Sequence, residues 1–425
     1  MKRFLAILVT LTILTTLTLS LTMASAVDIG DKQVTIEALI WLPDIPTIPV
    51  DMAKAFGEKY PNLTVDVQLM TDSEVASLQP RMAANNMPDF HTLTAGSFAN
   101  EVADGGYVLD VGDTQAWANT LESLQQQWIS PINKVKYGIS GGLCTTLIYY
   151  NKGMFDQAGI TDADLPEDYP GFVDLCAKLK DAGITPLMYT GLDPNTLSNS
   201  QYSYGCVNYI TKGDNDVMQG IATGTYTIPL EDLVKTYERV IELPNLGYCN
   251  DGYMSTDYIG SLTQFVNGDA AMVFNGTWVA GSIFTDELSF EVGCFLPPWN
   301  DPGVELVPCL STETGHAVGK TGDAEREAVA KMFLEFWYGD GFSIYQNPRQ
   351  CVPGQKMETI VTDVILAPQI VDVMAEAASY SAAQPLHFGF MPSVLNGSMV
   401  YFQEMLAGMA PEQAAQAALN DIANN

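Results

Sequence analysis

Gly141-Gly142-Leu143-Cys144-Thr145-Thr146-Leu147-Ile148-Tyr149-Tyr150-Asn151-Lys152 changes character twice, and the fold class follows from how it continues. Paired glycines feed a β-branched and aromatic run that reads as a buried strand, and Asn151-Lys152 closes it. A short helical turn over residues 153–158 stops at Gly159. Phe172, Leu175, Cys176 and Leu179 then recur at i, i+3, i+4 and i+7 on a second helix ending near Gly183, and a strand resumes at Ile184. The amino-terminal region repeats the arrangement. Val34, Ile36, Ala38 and Ile40 alternate as a half-buried strand does; Met52, Ala55 and Phe56 mark a helix ended by Pro61, and Leu63 to Val67 give the next strand. Strands alternating with helices predict an α/β protein. In open α/β sheets ligands bind beyond the carboxyl ends of strands, so Trp41 and Asp44, in the loop after the first strand, are candidate binding residues. Trp41 could equally cap the core beside that strand.

Composition narrows the partners. The chain has 425 residues, enough for two or three domains, and its 47% apolar share is that of a globular protein with substantial cores. With 50 acidic against 19 basic residues the formal charge is −31, which repels phosphate backbones and anionic membrane surfaces. Nucleic acid is therefore excluded as an expected partner. Lys2-Arg3 precede an uncharged stretch ending in Ala24-Ser25-Ala26, the pattern of a secretory signal over residues 1–26 with a small-residue cleavage site. The stretch is also long enough to span a bilayer as an uncleaved anchor, but its threonines and its Ala-Ser-Ala end favour cleavage. No cysteine sits near residue 26 to carry a lipid.

Seven cysteines leave at least one without an intrachain partner, and their spacings never approach a C-x2-C zinc pattern. They read as buried small hydrophobes with one or two disulfides. Asp214-Asn215-Asp216 begins like a calcium loop, but the remaining ligand positions do not follow. No metal or cofactor is expected. The three histidines, His91, His316 and His387, are scattered, and no nucleophile elbow, zincin helix or phosphate loop is present. A secreted glycoside hydrolase stays open, since it needs only two suitably spaced carboxyls. Between residues 189 and 227 tyrosines stand among Asn, Ser and Gly; this reads as a loop-rich cleft lining, with Tyr202 and Tyr204 as candidates for stacking on a ligand. Trp117 and Trp128, on one helical face, read as core.

Leu147-Ile148-Tyr149-Tyr150-Asn151-Lys152 with Phe155, Ala158-Gly159 and Pro186 resembles the signature of family 1 extracellular solute-binding proteins, the sugar-capturing subunits of ABC importers. Phe265, Gly268, Ala270-Ala271-Met272, Gly276 and Trp278 match that family's helix-to-strand step, with Pro88-Asp89 and Gly105-Gly106-Tyr107 before it and the Phe390-Met391-Pro392 tail after it, in the family's order. The resemblance implies a two-lobed periplasmic-binding-protein fold of type II, with discontinuous lobes joined by a hinge. Residues 27–140 and 296–345 are expected in the amino-terminal lobe, and 141–295 and 346–425 in the carboxyl-terminal one. It further implies a monomer, not an enzyme, that captures a carbohydrate between the lobes and delivers it to membrane permease subunits. On this pattern Thr94 and Ser97 fall on a ligand-facing loop, while Asp89 caps. The maltose-binding member has acidic groups on that loop and near Cys144 and Thr145, which here follow the first crossover at 138–142; their absence argues against maltodextrins. Trp278, at the carboxyl end of a strand after a glycine turn, is placed to present its indole face to a sugar. Trp299, beside an expected return crossover at 290–299, and Tyr401 in the tail are further candidates. A third crossover is expected near Asn347-Pro348 and Val352-Pro353-Gly354. A binding protein for a polyamine remains the reading outside carbohydrates.

Overall fold

A computed structural model describes residues 29–71, 73–384 and 392–424 of the chain. The segment at 1–26 expected to be a leader, His387 and the Phe390-Met391 step lie outside the described residues. Among the described residues the strands are β1 Val34–Ile40, β2 Leu63–Leu69, β3 Phe90–Leu93, β4 Leu143–Cys144, β5 Thr146–Asn151, β6 Leu187–Met188, β7 Met272–Gly276, β8 Val292–Phe295, β9 Ser311–Thr312 and β10 Gly315–Val318.

The alternation in β1 does what it predicts: Val34, Ile36, Ala38 and Ile40 are all buried. β2 and β3 pair parallel to β1, and β10 returns antiparallel beside β3, giving the order β10-β3-β1-β2. Each parallel step is made through a helix. Thr47–Lys59 joins β1 to β2, and Glu74–Ala83, begun by the Ser73 hydroxyl accepting from Ala76 N at 3.2 Å, joins β2 to β3. A second sheet has the order β6-β7-β5-β8. All six residues of β5 are buried, because it is the central strand, paired antiparallel with both β7 and β8 and covered on both faces.

Two separate hydrophobic cores form around the two sheets. The first contains Phe56, Phe90, Phe333 and Trp337, with the Phe90 and Phe333 ring centroids 4.9 Å apart. The second contains Phe172, Phe274 and Trp299, whose indole meets Phe274 edge-on at 5.2 Å. The chain leaves the first core after Ile139 and enters the second at Leu147. It returns between Cys309 and Ala317, and leaves again between Tyr345 and Ala367. Each lobe is therefore discontinuous. The crossing segments lie side by side: β4 pairs antiparallel with β9, Leu143 N donates to Val352 O at 3.0 Å, and Gly142 bridges Pro353. At Gly141 a Cβ would stand 2.2 Å from Thr314 O, so this close approach of segments needs glycine.

Three expectations require correction here. The segment at 290–299 is no crossover: β8 is a strand of the second sheet, and Leu296, Trp299, Leu306, Val307 and Cys309 continue into the second core. The return falls at β9, between Cys309 in the second core and Ala317 in the first. The polar stretch after Tyr189 is likewise not a loop lining. Residues 194–210 wind as a continuous, largely buried helical run, partly π-wound. Several of its polar side chains bond back to carbonyls of the preceding turn: Ser200 Oγ donates to Thr196 O at 2.6 Å, Ser203 Oγ to Ser198 O at 2.6 Å, and Asn208 Nδ2 to Tyr204 O at 2.9 Å. All seven cysteines are free thiols, so the one or two disulfides expected are not formed. Asp214 caps the helix Asn215–Ala222, accepting from Asp216 N at 2.8 Å. Asp89, fully buried, accepts from Glu37 N at 2.7 Å and pairs with Arg326, which is a structural role.

Candidate functional site

The carboxyl ends of β1 and β3 open towards the second lobe. Trp41, directly after β1, keeps 36% of its surface exposed and is tied by its backbone N–H to Thr92 Oγ1 at 3.0 Å. Thr94, after β3, receives the carboxylate of Glu74. Its N–H donates to Glu74 Oε2 at 2.9 Å and its hydroxyl to Oε1 at 2.5 Å, while the same hydroxyl meets Thr314 Oγ1 at 3.0 Å. An acidic group therefore stands on this loop after all, supplied by the first residue of the helix Glu74–Ala83. Burial holds the Glu74 carboxyl above the usual range, and its bonds to Thr94 offset part of that rise. Ser97 opens the next helix and is exposed.

From the second lobe, β7 ends at Gly276 and a single 3-10 turn carries Trp278. The ring folds back over Gly276, where a Cβ would come within 2.2 Å of it. The turn is braced from behind: Tyr149 Oη donates to Gly276 O at 2.9 Å and Thr277 N to Thr145 O at 3.0 Å. Asp257 caps the helix Tyr258–Val266 by accepting from Gly260 N at 2.7 Å, which places Tyr258 on its first turn. Trp278 Nε1 donates to the Tyr258 hydroxyl at 3.0 Å, and that hydroxyl donates to Asp44 Oδ1 at 2.6 Å. The second of these bonds runs from one lobe to the other.

In the region where the segments cross, Arg349 and Glu313 form an ion pair and are 2% and 5% exposed. The guanidinium lies over the Tyr345 ring, 4.4 Å from its centroid, and its Nη1 has no hydrogen-bond partner. Burial raises the Asp44 carboxyl above its ordinary value, against the lowering effects of the Tyr258 bond and of the Arg349 charge.

Residues 43–342 match the model of the bacterial extracellular solute-binding proteins, a span that holds every strand but β1 and all but the last crossing. The chain belongs to this family. Among solved structures this solute-binding protein is similar to a chitin oligosaccharide binding protein, with a TM-score of 0.78 at 21% identity over 93% of this chain and 99% of that one. A protein of xylan utilization from Caldanaerobius polysaccharolyticus gives 0.77 at 16% identity, covering 91% and 99%. The binding protein RafE in complex with raffinose gives 0.71 at 18%, covering 92% and 97%. At these identities the likeness establishes the shared fold. No curated protein sequence matches.

Of the residues singled out in the sequence of this solute-binding protein, Trp41, Asp44, Thr94 and Ser97 stand beyond the carboxyl ends of β1 and β3, and Trp278 reaches Asp44 through Tyr258. The rest lie elsewhere. Thr145 is fully buried behind the Trp278 turn, its hydroxyl 3.1 Å from Tyr204 Oη, so both act as bracing. Cys144 is buried in β4, and burial pushes its thiol far up. Tyr202 packs between Tyr237 and Phe402 at centroid distances of 5.9 and 5.2 Å. Trp299 is a core residue. Tyr401 Oη donates to Asp421 Oδ2 of the terminal helix at 2.7 Å, and helix packs on helix there. Sequence reasoning missed Glu74, Tyr258, Glu313 and Arg349. The legible signal for Arg349 was its place beside Asn347-Pro348 at the expected third crossing, in a chain with few basic residues.

Proposed function

We propose that this protein captures a carbohydrate between its lobes as the extracytoplasmic binding subunit of an ABC importer, exported through the segment at 1–26, and acts without catalysing a reaction. The observation that carries this is the meeting, across two lobes, of an indole platform with a carboxyl and a tyrosine hydroxyl. A pyranose has an apolar C–H face and a rim of hydroxyls, and this site offers one surface for each. Trp278 and Trp41 would take the face. Asp44, Thr94, Ser97 and Glu74 would accept from or donate to the rim, and Arg349 Nη1 is a buried donor still without a partner. The segments crossing at β4, β9 and 351–353 would act as the hinge.

The site favours a neutral ligand over a polyamine, because its carboxyls are already compensated. Glu313 is paired with Arg349, Glu74 is bonded to Thr94 and held towards its neutral form by burial, and Asp44 accepts from Tyr258. A bound cation would need unpaired carboxylates. The same engagement argues against a hydrolase, which needs one free acid and one free base flanking the bond to be cut. The similar structures include proteins described with chitin oligosaccharide, raffinose and stachyose. The test is calorimetry of the mature chain with raffinose, stachyose, chitin and xylan oligosaccharides, and spermidine, with chromatography of each sugar afterwards. Saturable binding of a sugar with no product is expected. Binding of spermidine alone, or release of shorter sugars, would overturn the reading.

A further inference from the structure

The Tyr258 hydroxyl occupies a singular position. It accepts from Trp278 Nε1 at 3.0 Å and donates to Asp44 Oδ1 at 2.6 Å. A phenol has one proton to give, and Asp44 takes it. Tyr258 and Trp278 belong to the second lobe, where the Asp257 cap and the Gly276 turn fix their backbones. Asp44 belongs to the first, on the loop before the helix Thr47–Lys59. The bond at 2.6 Å therefore exists only when the lobes approach, and it is made by the protein's own side chains with no third molecule.

We infer that Tyr258 is a positioning residue that latches the lobes through Asp44 and, by the same hydroxyl, sets the orientation of the Trp278 indole. The bond to Asp44 polarises the phenol and makes its oxygen the better acceptor for the indole N–H. When the lobes part, the phenol loses its acceptor, and the indole N–H is left with a less polarised and therefore weaker acceptor, besides the ring's packing over Gly276. The platform is then held more firmly in the closed form than in the open one. A ligand that lets Asp44 reach Tyr258 meets a fixed ring, and one too bulky to allow that contact does not. The inference rests on the carbohydrate reading of this cleft for its purpose, but not for its geometry.

The test uses the mature full chain labelled with 5-fluorotryptophan, without sugar. Trp278→Phe identifies the Trp278 fluorine line, and the lines of the other tryptophans report that each variant is folded. Asp44→Ala and Tyr258→Phe are each expected to displace the Trp278 line more than any other. The double variant should move it no further than Tyr258→Phe alone. Small-angle scattering should show both single variants more open, the latch being one charge-assisted bond whose loss shifts the open to closed ratio by roughly tenfold. The inference is overturned if Asp44→Ala leaves the line and the scattering unchanged, or if the two substitutions act additively. Because no sugar is present, such a failure leaves the carbohydrate reading standing, and a failure of the sugar panel leaves the latch standing.

Discussion

Trp278→Ala is expected to remove most of the affinity for a sugar while leaving the fold nearly intact. The indole is half-buried, gives one hydrogen bond, and lies over a glycine rather than inside the second core. Truncating a fully buried tryptophan costs about 3 to 5 kcal/mol. With part of the ring already in water, and one neutral hydrogen bond worth about 1 kcal/mol, the stability loss here should be about 1 to 2 kcal/mol. Covering a pyranose face with the ring removes about 80 Å² of apolar surface from water, worth about 2 kcal/mol, or roughly thirtyfold in Kd. Trp299→Ala is the control, since that ring is fully buried among Tyr169, Phe172 and Phe274. It should lose the full core cost yet bind normally once folded. Urea denaturation gives the stabilities and calorimetry with the tightest sugar of the panel gives Kd. If Trp278→Ala unfolds as early as Trp299→Ala and its folded fraction binds with unchanged Kd, Trp278 is a core residue and the assignment of the platform fails.

Arg349→Met should destabilise by about 3 to 5 kcal/mol, because it strands the buried Glu313 carboxylate. Arg349→Met with Glu313→Leu should recover most of that loss, and denaturant midpoints of the two variants decide; equal midpoints would mean that the pair contributes nothing at the crossing. Burial pulls His91 down to about 4 and His316 to about 3, both from 6.5. Above pH 6.5 both rings are neutral folded or unfolded and stability is full. Between about 6.5 and 4 only the unfolded chain takes up these protons, so stability falls by about 1.4 kcal/mol per pH unit for each ring. The raised Asp44 and Glu74 carboxyls act in the opposite sense at the acid end. His91→Leu should flatten the slope measured from pH 7 to 5, and an unchanged slope would place the titration elsewhere.

Local pattern alone settled a good part of this molecule. The alternation of Val34, Ile36, Ala38 and Ile40, the continuous apolar run of β5 and the 3.6-residue recurrence of Phe172, Leu175, Cys176 and Leu179 each answer to a short-range rule. The same rules misled where burial and exposure demand similar residues. Tyr202 and Tyr204 sit among Ser, Asn and Gly, a composition that water satisfies in a loop and that carbonyls of a preceding turn satisfy equally well in a buried helix. Trp299 follows two prolines and reads as a turn, yet three aromatic rings enclose it. Tertiary structure alone could join Asp44 to Tyr258, 214 positions apart, Glu74 to Thr94 on another element, and Glu313 to Arg349 across two crossing segments. Secondary structure repeats with a period that the chain displays, whereas a hydrogen bond between distant loops leaves no periodic trace, and it exists only once two separately packed lobes have been brought face to face.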